Sequence, residues 1–256
     1  MSGPNPPFDV LVAEATSVPI VGWDFSWLEG RATEQRPSWG YAGMLVSRLG
    51  RASSVLDIQT GGGEVFSQVL DAAGPPALVA ATESWPPNVA VARQKLAPVG
   101  GTVAEVADEA DLPFEDATFQ LVVSRHPTTV VWPEIARVLR PGGTYLSQQV
   151  GAGTNRELTD FMMGSQPVSG QRSPERARAK AGSVGLEVID LRAETLEVRF
   201  FDVGAVIYFL RLVLWTVPDF SIERYRDRLR AMHDHIAEKG SFVSHSERFL
   251  IEARKP

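Results

Sequence analysis

The chain has 256 residues, 44% hydrophobic and 22% charged, which suits one large domain with an elaboration or two small ones and excludes disorder, collagen and a disulfide scaffold. Lys+Arg 25 against Asp+Glu 31 leaves a net charge of -6, so the surface as a whole repels a phosphate backbone and nucleic acid is not an expected partner. With no cysteine, thiolate catalysis, a cysteine zinc site and disulfides are all excluded. The opening MSGPNPPFDV has no basic segment followed by an apolar run and does not read as a secretory signal. The longest apolar stretch, residues 203–217, carries Arg211 in its middle and falls short of the roughly 20 residues of a spanning helix. The expectation is a cytoplasmic protein with no membrane partner.

Residues 53–58 (SSVLDI) form a short β-branched run ending in glycine-rich sequence, and residues 64–73 (EVFSQVLDAA) place Val65, Phe66, Val69 and Leu70 on one helical face. Residues 77–82 (ALVAAT) make a second strand, followed by a helix opened by Pro86 and Pro87 and running through Leu96. A third strand at residues 102–107 alternates, and a fourth at residues 119–124 (FQLVVS) is continuous, as expected of a strand covered on both faces. A short helix at residues 132–139 is closed by Arg140-Pro141-Gly142-Gly143, and residues 144–150 form a fifth strand. Strands and helices alternating at this spacing predict a parallel, doubly wound α/β sheet of Rossmann-like type. After Gly151, helices at residues 155–163 and 173–181 precede a long strand or hairpin at 186–200. Two amphipathic helices at 202–214 and 222–239 then interrupt the sheet before a last strand at 246–253. The count is seven strands, mostly parallel, with the last antiparallel.

In open parallel sheets a ligand lies outside the carboxyl ends of the strands. Here the first such turn is Asp57-Ile58-Gln59-Thr60-Gly61-Gly62-Gly63-Glu64, where glycines let backbone amides approach a ligand and the next helix adds a positive N-terminus. A dinucleotide fold would space its glycines G-x-G-x-x-G, whereas three consecutive glycines behind Asp57 suit a cationic or amino-bearing ligand better than a diphosphate. Glu83 ends the second strand, where a carboxylate accepts from ribose hydroxyls; Trp85 is placed to stack on a purine, and Asp108, ending the third strand, can accept from an adenine amino group. Together these describe an adenosine site without a diphosphate.

The segments VLDIQTGGGE, ATESWPP, ADEADLPFEDATFQLVVSRH and EIARVLRPGG, in this order over about half the chain, resemble the class I S-adenosylmethionine-dependent methyltransferases of the small-molecule branch. The resemblance implies S-adenosylmethionine as cofactor and S-adenosylhomocysteine as product. It implies that Asp57 and Gly61, Gly62 and Gly63 hold the methionine end, Glu83 the ribose, Asp108 and the backbone of Glu109 the adenine, and Ser124 with Arg125 the sulfonium neighbourhood; Gln59, Ser84 and Trp85 are counted among the cofactor-binding residues beside them. Two departures stand out: Gln59 where the family has glycine, and a shortened segment between His126 and Glu134. The family also implies an N-terminal helical lid, here residues 1–50, over a cofactor-binding core at 51–201. A helical insertion at 202–242 covers the acceptor, and the final strand falls at 243–256.

The aromatic segment with Trp23, Phe25 and Trp27, together with Tyr208 of the insertion, is expected to line an apolar acceptor pocket. His126 follows the fourth strand on the functional rim and is the candidate base, with Arg125 beside it to orient an acidic acceptor. Gln148 and Gln149 alternate faces at the end of the fifth strand, and Gln148 is taken to face the substrate. His233 and His235 flank Asp234, but their i, i+2 spacing separates them on a helix, so no metal is expected. Arg224, Arg226, Arg228 and Arg230 are interleaved with acids, as on a solvated helix face. The expected activity is methyl transfer to oxygen, nitrogen or carbon of a small molecule by a monomer or homodimer. The alternatives are a protein of the same fold that binds the cofactor without transfer, and RNA methylation.

Overall fold

Apolar runs bounded by glycine and proline become strands, and amphipathic segments between them become the helices that cover the sheet. The computed structural model describes residues 6–20, 22–168 and 170–256, so the reading of the first five residues lies outside what is described. The strands hydrogen-bond in the order β1-β7-β8-β6-β5-β2-β3-β4, with β1 at Ala32–Glu34, β2 at Ser54–Asp57, β3 at Leu78–Glu83 and β4 at Thr102–Glu105. Of the rest, β5 is Phe119–Arg125, β6 Leu139–Val150, β7 Glu187–Phe200 and β8 Phe242–Arg254. The parallel ladders β4-β3-β2-β5-β6 and the antiparallel β6-β8 pair match the expected sheet. An eighth strand is added by β1, three residues long, which pairs antiparallel with the end of β7.

The chain divides into two compact units. One comprises Pro37–Ala152, Gly170–Glu194 and Arg248–Pro256; the other comprises Met1–Arg36, Gly153–Ser169 and Thr195–Glu247. Helix α2 (Tyr41–Leu49), read from the sequence with an N-terminal lid, packs in the sheet-bearing unit through Tyr41, Leu45 and Leu49.

In that unit, one face of the sheet is covered by α2, α3 (Glu64–Ala73) and α4 (Pro86–Leu96), whose Phe66, Leu70, Val89 and Leu96 meet Val55, Val79 and Val123. The other face is covered by α5 (Trp132–Val138) and α7 (Pro174–Ser183), around Leu56, Val122, Ile135 and Ala181. Burial on both faces explains the apolar run Leu121-Val122-Val123 of β5, and each fully buried Leu, Val or Phe contributes about 1.5–3 kcal/mol. The strand order reverses between β2 and β5, and in doubly wound sheets that switch is where the crevice opens.

One boundary corrects the sequence reading. The segment Arg140-Pro141-Gly142-Gly143, expected to close a helix, lies inside β6, which starts at Leu139. The β5-β6 register shifts between Phe119 and Leu121 to admit it, and a Cβ on Gly143 would stand 2.9 Å from the carbonyl oxygen of Arg140 and 3.0 Å from that of Gln120.

The second unit has its own apolar core. There α1 (Phe8–Ser17), α6 (Arg156–Met163), α8 (Val203–Leu212) and α9 (Ile222–Lys239) bury Leu11, Leu158, Ile207, Tyr208 and Leu229. Helices α8 and α9 lie between β7 and β8 in the chain, as expected, and start at Asp202 and Ser221, whose side chains accept from the backbone N–H of Ala205 and Arg224. Among the described residues, no helix is long and apolar enough to cross a membrane.

Candidate active site

The carboxyl ends of β2 and β3 bring Asp57 and Glu83 to one turn. Asp57 is buried and accepts a hydrogen bond from Thr60 Oγ1 at 2.6 Å. Glu83, also buried, accepts from the backbone N–H of Gly61 at 2.8 Å through one oxygen and from that of Trp85 at 3.0 Å through the other. Backbone amides fix a carboxylate without spending a side chain, so the glycine turn is held to β3 by the residue read as the ribose acceptor. Gly61 and Gly63 both lie at positive φ, and the would-be Cβ of Gly63 faces Ala92 of α4.

Burial without a paired cation pushes the Asp57 carboxyl up to about 7; Thr60 and Arg125 oppose the rise and Glu83 adds to it. No ion pair reaches it among the described residues. The carboxylate of Glu64, paired with Lys95 at 2.7 Å, lies over Gly62, where a Cβ would come 2.2 Å from its oxygen. An acid thus occupies the N-terminal end of α3, which a diphosphate would need.

Gln59 holds φ +58, the left-handed region where the family's glycine is at ease. Its carboxamide acts as a peptide unit: Oε1 accepts from the Thr128 backbone N–H at 2.6 Å and Nε2 donates to the Thr129 carbonyl at 2.8 Å. Thr128 Oγ1 also bonds both Gln59 Oε1 and the Asp108 carboxylate. Asp108 is thereby drawn toward the turn that holds Asp57. The shortened segment after β5 runs directly across, and the space lined by Ile58, Gln59, Thr82, Val106, Pro127 and Tyr145 is a cavity of about 20 Å³. That is room for about one water.

Of the other expected cofactor residues, Ser84 is half-buried, while Trp85 and Glu109 are exposed. Ser124 is buried and turned away from solvent, its hydroxyl bonded to Tyr145 Oη and Ser147 Oγ at 2.8 Å each. It is part of the floor, with Tyr41 Oη donating to its carbonyl.

Gln148 and His126 do meet. Gln148 is buried between Trp39 Nε1, 2.9 Å from its Oε1, and His126 Nε2, 2.8 Å from its Nε2. Gln149 lies on the opposite face, near Tyr145. Burial, Arg125 and Arg248 hold the His126 imidazole well below its usual pKa. Arg125 is exposed.

The expected acceptor aromatics belong to the other unit. Trp27 packs on Tyr208 with ring centroids 5.0 Å apart and carries the Arg31 guanidinium at 4.1 Å; Tyr208 Oη donates to the Asp24 carbonyl; Trp23 lies 5.5 Å from Trp215. Phe25 is exposed. His233 rests against Phe8 and His235 against Phe161 and Phe242, on different sides of α9. The sequence reading missed Trp39, Tyr41, Thr60 and Thr128. Trp39 and Tyr41 carried a signal as an aromatic pair at the start of amphipathic α2, and Thr60 lies in the turn already read, three residues from Asp57, whereas Thr128 meets Gln59 from a loop 69 positions away.

Residues 56–147 match a family described as "Methyltransferase domain". Among curated proteins none matches. Among solved structures, a functionally unknown protein from Deinococcus radiodurans R1 has a TM-score of 0.61 at 18% identity over 88% of this chain and 91% of its own. The phosphoethanolamine N-methyltransferase 2 of Haemonchus contortus, solved with phosphomonomethylethanolamine and S-adenosylhomocysteine, has a TM-score of 0.51 at 19% identity over 85% of this chain and 53% of its own. A geranyl diphosphate methyltransferase, solved in complex with GPP and sinefungin, has a TM-score of 0.51 at 13% identity over 84% of this chain and 76% of its own. At such identities the likeness is one of fold. The fold is the Rossmann-like fold that these methyltransferase structures share.

Proposed function

We propose that the protein transfers the methyl group of S-adenosylmethionine to oxygen, nitrogen or carbon of a small-molecule acceptor. The observation that supports this reading most directly is Asp57, a buried carboxyl without a paired cation at the topological switch of the sheet. A ligand bearing a sulfonium and an ammonium would supply the missing positive charge. The donor set fits that ligand and not a dinucleotide, since Glu64 stands where a diphosphate would need the helix end.

In this reading Asp57 with Gly61 and Gly63 holds the methionine end, Glu83 the ribose, and Asp108 the adenine. Ser84, Trp85 and Glu109 flank the nucleoside, and Ser124 supports the floor. The bound cofactor supplies an activated methyl group, so the chain's work is alignment and exclusion of water. Calorimetry with S-adenosylmethionine and S-adenosylhomocysteine tests the proposal. Saturable binding of both is expected, and no saturable binding of either would end it.

One observation favours a second reading, in which the fold binds the nucleoside without transferring methyl. Gln59 ties the glycine turn to the loop after β5 where the family has glycine. Cofactor that binds but is never converted across a broad panel of acceptors would support this reading against the first.

A further inference from the structure

Trp39, Gln148 and His126 form a line of hydrogen bonds whose direction is set by chemistry alone. The Trp39 indole N–H can only donate, so Gln148 Oε1 is its acceptor. That turns the Gln148 amide nitrogen to His126 Nε2, and an amide NH2 likewise only donates. Nε2 must therefore offer its lone pair, which leaves the proton of the neutral imidazole on Nδ1. A proton on Nε2 would set two donors against each other. Turning the amide over would strand the indole N–H of Trp39, which is 7% exposed.

His126 itself sits at φ +56 and is half-buried, and its Nδ1 makes no hydrogen bond to a described residue. The charged groups acting on this corner are Arg125 at the end of β5, Arg248 on β8, and the Asp57 carboxyl, which feels Arg125. The Arg125 guanidinium makes no ion pair among the described residues.

We infer that His126 is a fixed neutral hydrogen-bond donor through Nδ1, and that together with Arg125 it recognises an anionic oxygen, a carboxylate or phenolate, on the methyl acceptor. The inference rests on the small-molecule methyltransferase reading and names its substrate class. It replaces the general base expected at His126, because the lone pair a base requires is engaged by Gln148. An acceptor that arrives as an anion brings its own lone pair and needs no base there.

The test is NMR on protein with labelled histidine, four residues in all. In the wild type, His126 is expected as the Nδ1–H tautomer with no titration from about pH 5.5 to about pH 8.5, a window spanning the ordinary histidine value. Gln148→Glu offers a carboxylate to both neighbours, so the His126 proton should move to Nε2 and the ring should titrate within that window. Trp39→Phe should give a mixture of tautomers. Benzoate is then titrated against benzamide, with and without S-adenosylhomocysteine. Benzoate alone should move the His126 Nδ1 signal, and Arg125→Gln should weaken it about tenfold, the scale of one charge-assisted hydrogen bond. A wild-type Nε2–H tautomer, or benzamide binding as tightly as benzoate, would overturn the inference. Failure of S-adenosylhomocysteine to bind in calorimetry would strike the proposed function instead and leave the tautomer and benzoate results standing.

Discussion

The Gln59 carboxamide pairs with the Thr128–Thr129 backbone as one peptide unit pairs with another, accepting at 2.6 Å and donating at 2.8 Å. A side chain thus joins the turn after β2 to the loop after β5, at a backbone conformation that side chains seldom adopt.

Gln59→Gly is expected to shift two quantities in opposite directions. Three hydrogen bonds, at about 1 kcal/mol each, are lost. Left-handed strain of about 1–2 kcal/mol is relieved. Chemical denaturation should therefore show a net loss of about 1–2 kcal/mol. If the loop must part from the turn to admit a nucleoside, S-adenosylhomocysteine should bind the variant more tightly than the wild type, by calorimetry. Equal affinity would separate the two loops' pairing from cofactor entry.

Asp57 makes stability depend on pH with a definite sign. Its carboxyl lies at about 7 in the folded chain against an ordinary 3.8, so between these values the folded state holds a proton that the unfolded state has released. Stability should fall as pH rises from about 4 to about 7, by an amount on the order of a few kcal/mol. Asp57→Asn should flatten that slope in urea unfolding series. A cationic ligand favours the ionised form, so affinity for S-adenosylmethionine should rise across the same interval, and a flat profile would count against Asp57 as its partner.

Arg137→Met should destabilise the chain by about 3 kcal/mol. Arg137 forks onto Glu134 at 2.8 and 2.7 Å and reaches the carbonyl oxygens of Leu112 and Phe114 and the Asp116 carboxylate, while Glu134 also accepts from the Leu112 N–H. Glu134 is 8% exposed, and removing its partner leaves a charge without compensation. Thermal unfolding of the variant measures the loss.

Two glycines should respond differently to alanine. At Gly143 the new methyl meets carbonyl oxygens of Arg140 and Gln120, which cannot yield without moving β5 or β6, and a loss of about 1–3 kcal/mol is expected. At Gly62 it meets only the Glu64 carboxylate, the far end of an exposed side chain. Releasing the Glu64–Lys95 pair should cost no more than about 1 kcal/mol. Denaturant midpoints of the two variants give the comparison.

Sequence periodicity located the strand, turn and helix around Asp57 because all three are local: β-branched residues, then glycines, then an amphipathic face. The most distinctive segments, LPFED and EIARVLRPGG, prove to grip each other through Arg137 and Glu134, so they mark the fold more than the chemistry. Contacts distant in the chain were illegible. The three residues of β1 have no pattern of their own and exist by pairing with Phe200, Arg199 and Val198. Trp39 acquires meaning only 109 positions later, at Gln148. Nor does Pro-Gly-Gly show by itself whether it stops a helix or bends a strand; the close approach of Gly143 to Gln120 decides it.

The antiparallel ladder from Thr144↔Arg254 to Val150↔Arg248 has an implication for biosynthesis. Until residue 254 has left the ribosome, β6 presents a bare edge, and both helical layers lack Phe249, Leu250, Ile251 and Ala253, all at most 1% exposed in the finished fold. The nascent parallel half of the sheet must therefore wait, open-sided, for a strand translated about a hundred codons later. A ribosome stalled before that strand should hold a chain that trigger-type chaperones still recognise.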